Sequence, residues 1–407
     1  MSRRVVITGV GAISALGDGV PALWDAAVEG RSGIDQLEGF GDSRLKFRNG
    51  AQIRGFDPAR FFESREDQLL DPCVQFAIIP AREAVKDSGI AWDDELRSRT
   101  AVVTGCAVGG KNTEDAEYYK LYHLNKKRFH PFAIPRSMGN AGASRISMEF
   151  GLQGPAFTLS TACSSANHAI GHAFWLLRNG AADAAVAGGH EALFTLGHLL
   201  AWDALRVVAP DTCRPFSADR KGMVIGEGGG MLVLETLDRA QTRGARIHAE
   251  IVGFGMSADA HHLTMPSMEG PSRAMTAAMA DGSLRREEIG YVSAHGTGTL
   301  ANDPNEINAV KHAFGDLASN LTMSSTKAVH GHALGASGAL EAVITTLALS
   351  RGVLPPTANY LGPDPKCDLD VIPNEAREKK VSCALSNSFA FGGLNAVVAF
   401  RRFEPDA

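Results

Sequence analysis

The sequence has little that would mark a secreted or metal-binding protein. Six cysteines are scattered over 407 residues, with no CxxC pair and no Cys/His spacing typical of a metal site. Disulfides are therefore not expected, and a reducing compartment fits this pattern. The first apolar segment, residues 5–7, is too short for the core of a signal peptide. We expect a cytoplasmic protein with no bound metal.

Long hydrophobic runs and a strong excess of one charge are also missing. The two most apolar stretches, residues 166–189 and 333–349, are interrupted by Arg178, Asp183 and Glu341, so they predict buried helices and not membrane spans. The formal net charge of −5 is mild and gives no sign of a nucleic-acid binder. We therefore expect neither a membrane nor a nucleic acid as a partner.

What the sequence does contain is a regular alternation of short apolar segments with helical patterns. Such alternation is typical of an α/β protein with parallel sheets covered by helices. The predicted strands include residues 5–8, 101–104, 156–159, 184–187, 230–234, 291–294, 381–385 and 396–400. No Pro- or Ser-rich linker divides the chain, and the best candidate for a boundary between two halves is residues 243–249. A faint similarity between the segments around Cys163 and Lys327, each leading into an Ala-rich helix, leaves an internal duplication open.

Cys163 lies between a predicted strand and a long predicted helix, in the run Thr-Ala-Cys-Ser-Ser. The partial positive charge of a helix N-terminus favours a thiolate, which is the reactive form of cysteine. The alternative is a buried structural cysteine, the commoner fate of a lone thiol inside a cell. The position alone therefore favours a nucleophile only modestly.

Three further segments carry groups suited to catalysis. His295 follows a predicted strand in a turn of small residues, and Lys327 and His332 precede the helix that contains Glu341. Residues 386–395 contain a Gly-Gly turn that could direct backbone N–H groups into a site. Each segment also has a purely structural interpretation. His295 could be a hydrogen-bonded loop histidine, the segment of Lys327 and His332 a polar helix start, and residues 386–395 a hairpin turn. Their occurrence together in one chain favours an active site.

Taken in order, these segments resemble the elongating β-ketoacyl-acyl-carrier-protein synthases of the thiolase superfamily. The resemblance extends over residues 5–395 and rests on the nucleophile run, His-Gly-Thr-Gly-Thr, Lys-x4-His and Asn-Ser-Phe-x-Phe-Gly-Gly. It implies a thiolase fold, in which two similar βαβαβαββ halves pack as an α-β-α-β-α layered sandwich. We expect an N-terminal half, residues 1–248, with the nucleophile and a cap or dimer region. The C-terminal half, residues 249–407, would carry the histidine, lysine and glycine-turn motifs.

The resemblance also implies a role for each motif residue. Cys163 would be the nucleophile, His295 and His332 the histidine pair, and Lys327 a supporting lysine paired with Glu341. The N–H groups of Cys163 and Phe391 would form the oxyanion hole. Predicted substrate contacts are Thr297, Thr299, Val108, Ala133, Phe391, Gly392 and Thr264, the last in a mobile loop with Asp259 and His262. A monovalent cation near Glu341 and Asn387 is left open.

The partners follow from the same resemblance. We expect an acyl carrier protein, whose own phosphopantetheine arm delivers the substrate, and no other cofactor. Predicted docking residues are Lys126, Lys127, Arg128 and Arg206, although a solvated basic face is an equal alternative. Relatives pair as dimers, and the sequence leaves open a homodimer or a heterodimer with a subunit of the chain-length-factor type.

The implied reaction is the decarboxylating Claisen condensation of an acyl chain on Cys163 with a malonyl thioester. A degradative thiolase would show a second catalytic cysteine, an initiating synthase would have Asn in place of His332, and a non-catalytic subunit would lack the nucleophile. Residues 212–217 and 364–370 are similar to the nodulation-type branch, which indicates a specialised fatty-acid, polyene or polyketide pathway. The alternatives are the catalytic subunit of an obligate heterodimer and a housekeeping fatty-acid synthase. Ala390 and Leu394 depart from the family's Gly and Thr, and Ala390 is expected to stiffen the gate at Phe391.

Overall fold

The computed structural model describes residues 3–41, 44–63 and 66–404. The strands are β1 (Val5–Ser14), β2 (Gly17–Asp18), β3 (Asp35–Gln36), β4 (Asn49–Gly50), β5 (Thr100–Gly105), β6 (Ala156–Leu159), β7 (Ala184–Glu191), β8 (Gly228–Thr236), β9 (Ala249–Ala258), β10 (Ile289–Ser293), β11 (Thr322–Ser324), β12 (Val353–Leu354), β13 (Arg377–Glu378), β14 (Cys383–Ala390) and β15 (Leu394–Arg402). The helices are α1 (Val20–Glu29), α2 (Pro72–Ser88), α3 (Asp94–Ser98), α4 (Lys111–Tyr122), α5 (Ala133–Ser137), α6 (Ala141–Phe150), α7 (Ser165–Arg178), α8 (Leu196–Leu205), α9 (Leu237–Thr242), α10 (Glu269–Asp281), α11 (Asn302–Phe314), α12 (Lys327–His330) and α13 (Ser337–Arg351).

Every predicted strand is present, and most are longer than their apolar segments indicated. The first strand continues through Gly9 and Gly11 to Ser14. A Cβ atom at Gly9 would lie 2.0 Å from the Ala84 carbonyl oxygen, and one at Gly11 would lie 1.9 Å from that of Pro80. These glycines therefore let β1 pack directly on the backbone of α2.

The sheet repeats one strand order in the two parts of the chain. The first part has the order β1-β8-β7-β5-β6, and the second has β9-β15-β14-β10-β11. In each part three strands are parallel, and the remaining two run antiparallel to their neighbours. Antiparallel pairing of Val5 with Ile251 and Ile7 with Ala249 joins the two parts edge to edge. The chain therefore has the predicted duplicated α/β fold, and the weak internal similarity reflects a repeated architecture.

Two equivalent helices, α7 and α13, form the middle layer of the fold. They contact each other and strands from both repeats, while α2 and α6 cover the first repeat and α10 and α11 the second. Their apolar side chains, including Ile170, Phe174, Leu340 and Ile344, belong to one buried cluster. The turns that precede the two helices also contact each other, so chemistry from both repeats meets at one point.

The boundaries differ from the sequence prediction at one functional segment. Lys327–Leu340 does not lead directly into a single helix. The short helix α12 ends at His330 and is followed by Gly331, whose φ of +67° suits glycine, and α13 begins only at Ser337. The predicted domain division at residues 248 and 249 coincides with the start of β9. Within the part of the chain that the structure describes, no helix is long and apolar enough to cross a membrane.

Candidate active site

Cys163 lies in a tight turn, Ala162–Ser164, between β6 and α7. Ala162 has a φ of +50°, a left-handed conformation that costs a non-glycine residue roughly 1–3 kcal/mol. The Ser165 hydroxyl holds this turn, because it accepts the N–H of Thr161 at 2.9 Å and donates to the Ala162 carbonyl at 2.7 Å. The turn places a 7% exposed Cys163 on the wall of a cavity.

The helix N-terminus favours a thiolate at Cys163 but does not set the pKa of its thiol. Burial raises the pKa of the Cys163 thiol to about 11, and it outweighs the opposing effects of the Lys327 charge and of nearby backbone N–H groups. Those N–H groups belong to Phe391 and to Cys163 itself, and each lowers the pKa of the thiol. The two predicted oxyanion donors are therefore close enough to the sulfur to act on its charge, and their role as an oxyanion hole stays a prediction.

His295 and His332 face the same cavity as Cys163. Their ring centroids are 5.5 Å apart, and the rings are nearly perpendicular at 84°. Nδ1 of His332 accepts the N–H of Leu334 at 3.2 Å and lies 2.9 Å from the Ser337 hydroxyl. An accepting Nδ1 leaves the proton of the neutral ring on Nε2. His332 can therefore donate a hydrogen bond from Nε2.

Both histidines are kept neutral by their surroundings. Burial lowers the pKa of His295 and of His332, and the nearby Lys327 charge lowers both further. A neutral imidazole can donate one N–H without being a strong acid. The pair is therefore suited to stabilising an oxyanion and not to protonating it.

Lys327 connects this histidine pair to a buried acidic network. Its ammonium donates to the carbonyl oxygen of His295 at 2.6 Å and forms a fully buried ion pair with Glu341. Glu306, on α11, accepts the N–H groups of His295 at 2.8 Å and Gly296 at 2.7 Å. These contacts fix the backbone that presents His295 to the cavity.

Sequence reasoning missed several residues that position the site. Glu306 follows the last residue of the His-Gly-Thr-Gly-Thr motif by seven positions, and Ser337 follows His332 by five. Neither spacing indicates that the side chain contacts the motif. Glu191, at the end of β7, accepts the N–H groups of Ala107 at 2.7 Å and Gly335 at 3.2 Å. Such links between distant segments become visible only in the folded chain.

The cavity has a volume of about 740 Å³, including its open mouth, and is lined mainly by apolar groups. Thr264, Thr297 and Thr299, three of the predicted substrate contacts, line it, and the Phe391 ring stacks on Trp202 with centroids 6.2 Å apart. The loop that contains Asp259 packs on the glycine turn, since Gly392 donates its N–H to the Leu263 carbonyl at 2.7 Å. The two segments that flank the cavity mouth are therefore hydrogen-bonded to each other.

The other predicted substrate residues, Val108, Ala133 and Gly392, are not among the described residues that line this cavity. Val108 packs in the apolar cluster that contains Cys163, Trp202 and Phe391. Ala133 is buried in α5.

The predicted docking residues are exposed, but only Arg206 lies beside the site. It immediately precedes Val207, a lining residue. Lys126, Lys127 and Arg128 lie beyond the end of α4, and none is among the described residues that line the cavity. A shared docking role for these four residues stays a prediction.

Two oxygen atoms near Lys327 are buried without a hydrogen-bond partner among the described residues. They are Oε2 of Glu341 and Oδ1 of Asn387. Oxygen donors of this kind suit a hard cation. A monovalent cation at these residues therefore stays open as a prediction.

The fold and the site together define a thiolase-fold acyltransferase with a Cys-His-His centre. Residues 2–240 match the family model of the β-ketoacyl synthase N-terminal domain, and residues 248–361 match that of the C-terminal domain. The chain is 46% identical over 402 residues to nodulation protein E of Rhizobium sp. (strain N33), covering 99% of this chain and 100% of that protein. It is 39% identical over 410 residues to 3-oxoacyl-[acyl-carrier-protein] synthase 2 of Staphylococcus aureus (strain N315), covering 99% of each.

Solved structures agree with these relatives. The ishigamide ketosynthase/chain length factor superimposes with a TM-score of 0.94 at 35% sequence identity, covering 99% of this chain and 100% of that chain. The chain therefore belongs to the β-ketoacyl synthase family and is a ketosynthase enzyme.

Proposed function

We propose that Cys163 carries the acyl chain in a decarboxylating Claisen condensation with malonyl-acyl-carrier protein. The observation that carries this proposal is the convergence of Cys163, His295 and His332 on one cavity, where the backbone N–H groups of Phe391 and Cys163 lower the pKa of the thiol. The product is a β-ketoacyl-acyl-carrier protein that is longer by two carbons.

In the first step the Cys163 sulfur attacks the acyl thioester that the carrier protein delivers. Negative charge develops on the carbonyl oxygen, and the N–H groups of Cys163 and Phe391 stabilise it. The bond to the phosphopantetheine sulfur then breaks, and the departing thiol takes up the proton that Cys163 loses. Because the resting thiol has a pKa of about 11, these oxyanion donors contribute more to this step than a preformed thiolate does.

In the second step a malonyl thioester occupies the cavity and loses CO2. The electron pair of the broken carbon–carbon bond passes to the thioester as an enolate, whose oxygen accepts hydrogen bonds from His295 and from Nε2 of His332. The enolate carbon attacks the acyl-Cys163 carbonyl, and the cysteine sulfur leaves as a thiolate that takes up a proton from water. Lys327 favours neutral imidazoles, which donate to the enolate oxygen without protonating it.

The phosphopantetheine arm would enter along Thr297 and Thr299. Their hydroxyl groups lie 3.0 Å apart on the cavity wall, where they can bond the amide groups of the arm. The exposed Arg206, beside the cavity, would contact the acidic carrier protein. Similarity to nodulation protein E supports a specialised acyl chain, although a housekeeping role in fatty-acid synthesis remains the alternative.

We further propose that a second subunit covers the face formed by α4, α5 and α6. Tyr122, Phe132, Ile134 and Met148 expose large apolar side chains there. The adjacent strand β6 pairs with β5, and its other edge has no strand beside it among the described residues. The proposed occupant is a second copy of the chain, and a subunit of the chain-length-factor type is the alternative.

The condensing reaction is tested by intact-mass measurement. The protein is mixed with a carrier protein bearing a medium-length acyl thioester, and malonyl-carrier protein is added next. We expect an acyl adduct that Cys163→Ala abolishes and Cys383→Ala retains, followed by discharge as a β-ketoacyl product. An adduct that forms only with a co-expressed partner would favour the heterodimer. No adduct under either condition would overturn the nucleophile assignment.

A further inference from the structure

A second cluster of reactive side chains lies away from the cavity that holds Cys163. Cys73 is the second residue of α2, Cys106 directly follows β5, and His190 lies near the end of β7. One potential ligand atom from each of these three buried residues lies within 4.8 Å of the other two. The spacing along the sequence gives no sign of this set, because its three residues come from separate elements.

We propose that Cys73, Cys106 and His190 bind one Zn²⁺ ion in a structural site. Two thiolates and an imidazole form a donor set that Zn²⁺ prefers, and the condensation described above uses none of these three residues. The three residues come from three different elements of the first repeat, so a bound ion would join α2 to two strands of the sheet.

The burial of His190 without hydrogen-bond partners is an independent reason to expect a ligand. Its side chain is only 1% exposed, yet neither ring nitrogen has a hydrogen-bond partner within the described ranges of the chain. Burying a polar group without a partner costs on the order of 1–3 kcal/mol. Coordination through one nitrogen would remove part of that cost. Space for the ring is provided by Gly142, where a Cβ atom would lie 2.1 Å from Nε2.

The surroundings of the cluster suit thiolate ligands and a cation. Cys106 Sγ accepts the N–H of Gly109 at 3.3 Å, a contact that orients and stabilises a thiolate. The Cys106 thiol donates its proton to Oε1 of Glu191 at 3.3 Å. A bound ion would replace that proton, and Glu191 is the carboxylate in contact with this ligand that could take a fourth position. The Asp71 carboxylate accepts the N–H of Cys73 at 2.9 Å and so fixes the start of α2. Two thiolates would balance the charge of the divalent ion.

A bound ion would raise the stability of the fold and would influence the shape of the cavity that holds Cys163. Glu191 accepts hydrogen bonds from Cys106 and from the N–H groups of Ala107 and Gly335, so it links the cluster to the turn that precedes α13. Because all three ligands are buried, the ion would be acquired before folding is complete and would exchange slowly afterwards.

The test is the zinc content of the whole chain, produced in zinc-supplemented medium and purified without metal-affinity steps. We expect about one zinc per chain by elemental analysis, as in other closed structural sites. Cys106→Ala and His190→Gln should lose it, whereas Cys163→Ala and Cys383→Ala should retain it. Zinc that survives Cys106→Ala but disappears in Cys163→Ala would place the ion at the catalytic centre and overturn the proposal.

Two further measurements on the unaltered chain cover variants that fail to fold. Protein produced with Co²⁺ should show a thiolate-to-cobalt charge-transfer band, and a cobalt-free product would contradict the proposal. Thiols are counted in denaturant without reductant after chelation, and all six cysteines should react. A zinc-free protein with two thiols missing would identify a Cys73–Cys106 disulfide instead, and a zinc-free protein with all thiols reactive would leave the cluster without a ligand. Neither outcome depends on whether the chain condenses acyl groups.

Discussion

The two repeats place equivalent turns side by side, with similar backbones and different chemistry. Ala162–Ser164 precedes α7, and Leu334–Ala336 precedes α13. The first residue of each turn is left-handed, with φ of +50° at Ala162 and +41° at Leu334. The middle residue is Cys163 in one turn and Gly335 in the other. The same backbone conformation therefore places the Cys163 sulfur at the cavity in the first repeat. In the second repeat it places Gly335 against neighbouring parts of the protein.

The difference shows how a duplicated scaffold can divide one reaction. The first repeat presents the thiol that would hold the acyl chain. The second contributes His295, His332 and Lys327, which would handle the charge released by decarboxylation. Since α7 and α13 lie together in the middle layer, the two sets of groups meet without any long loop. Substitutions in each repeat should therefore affect different steps.

The largest effect is expected for Cys163→Ala. Removal of the nucleophile should lower condensation at least about 10⁴-fold, as for other covalent catalysts. Folding should be unaffected, because the thiol donates no hydrogen bond that holds the turn. Product formation and the thermal unfolding midpoint measure the two effects. Strong residual condensation would show that another group carries the acyl chain.

A substitution in the second repeat should separate the two steps. His332→Ala removes one enolate donor, so decarboxylation of the malonyl thioester should fall roughly 10²- to 10³-fold. The acyl-Cys163 adduct should still form. Release of CO2 and the intact mass of the adduct are measured in the same sample. Equal loss of both signals would contradict this division between the repeats.

The pH dependence of Cys163 reactivity tests whether the first repeat raises the pKa of its thiol. Because burial raises the pKa to about 11, the thiolate fraction should grow with rising pH throughout the neutral and mildly alkaline range. Alkylation by iodoacetamide, followed by mass spectrometry, should therefore accelerate about tenfold per pH unit between roughly pH 7 and 10. Cys163→Ala provides the background from other cysteines. A plateau below pH 8 would mean that the resting site already stabilises the thiolate.

The smallest effect is expected for Gly335→Ala, the counterpart of the nucleophile position. The new Cβ atom would lie 2.5 Å from the Ala107 nitrogen and 2.6 Å from a Glu191 oxygen. Overpacking of this kind typically costs about 1–3 kcal/mol of folding stability. Chemical denaturation measures the loss, and Cys163→Ala serves as the matched control at the equivalent position. Unchanged stability would show that the second turn tolerates a side chain and that its glycine has another cause.

The sequence by itself determined the α/β fold, the existence of nearly every core strand and the motif residues around Cys163, His295 and His332. These features are local: apolar periodicity specifies strands and helices, and short motifs keep their residues within a few positions of one another. The strand order could be expected only through resemblance to a family, because periodicity does not state which strands pair.

The tertiary structure decided what depends on contacts between distant segments. It showed that burial outweighs the helix N-terminus at Cys163, because desolvation is a property of everything packed around the sulfur. It connected Glu306 to His295 and Glu191 to Gly335, and it assembled Cys73, Cys106 and His190 into one cluster. No spacing along the chain encodes these contacts, since the sheet brings together residues that belong to separate strands and helices.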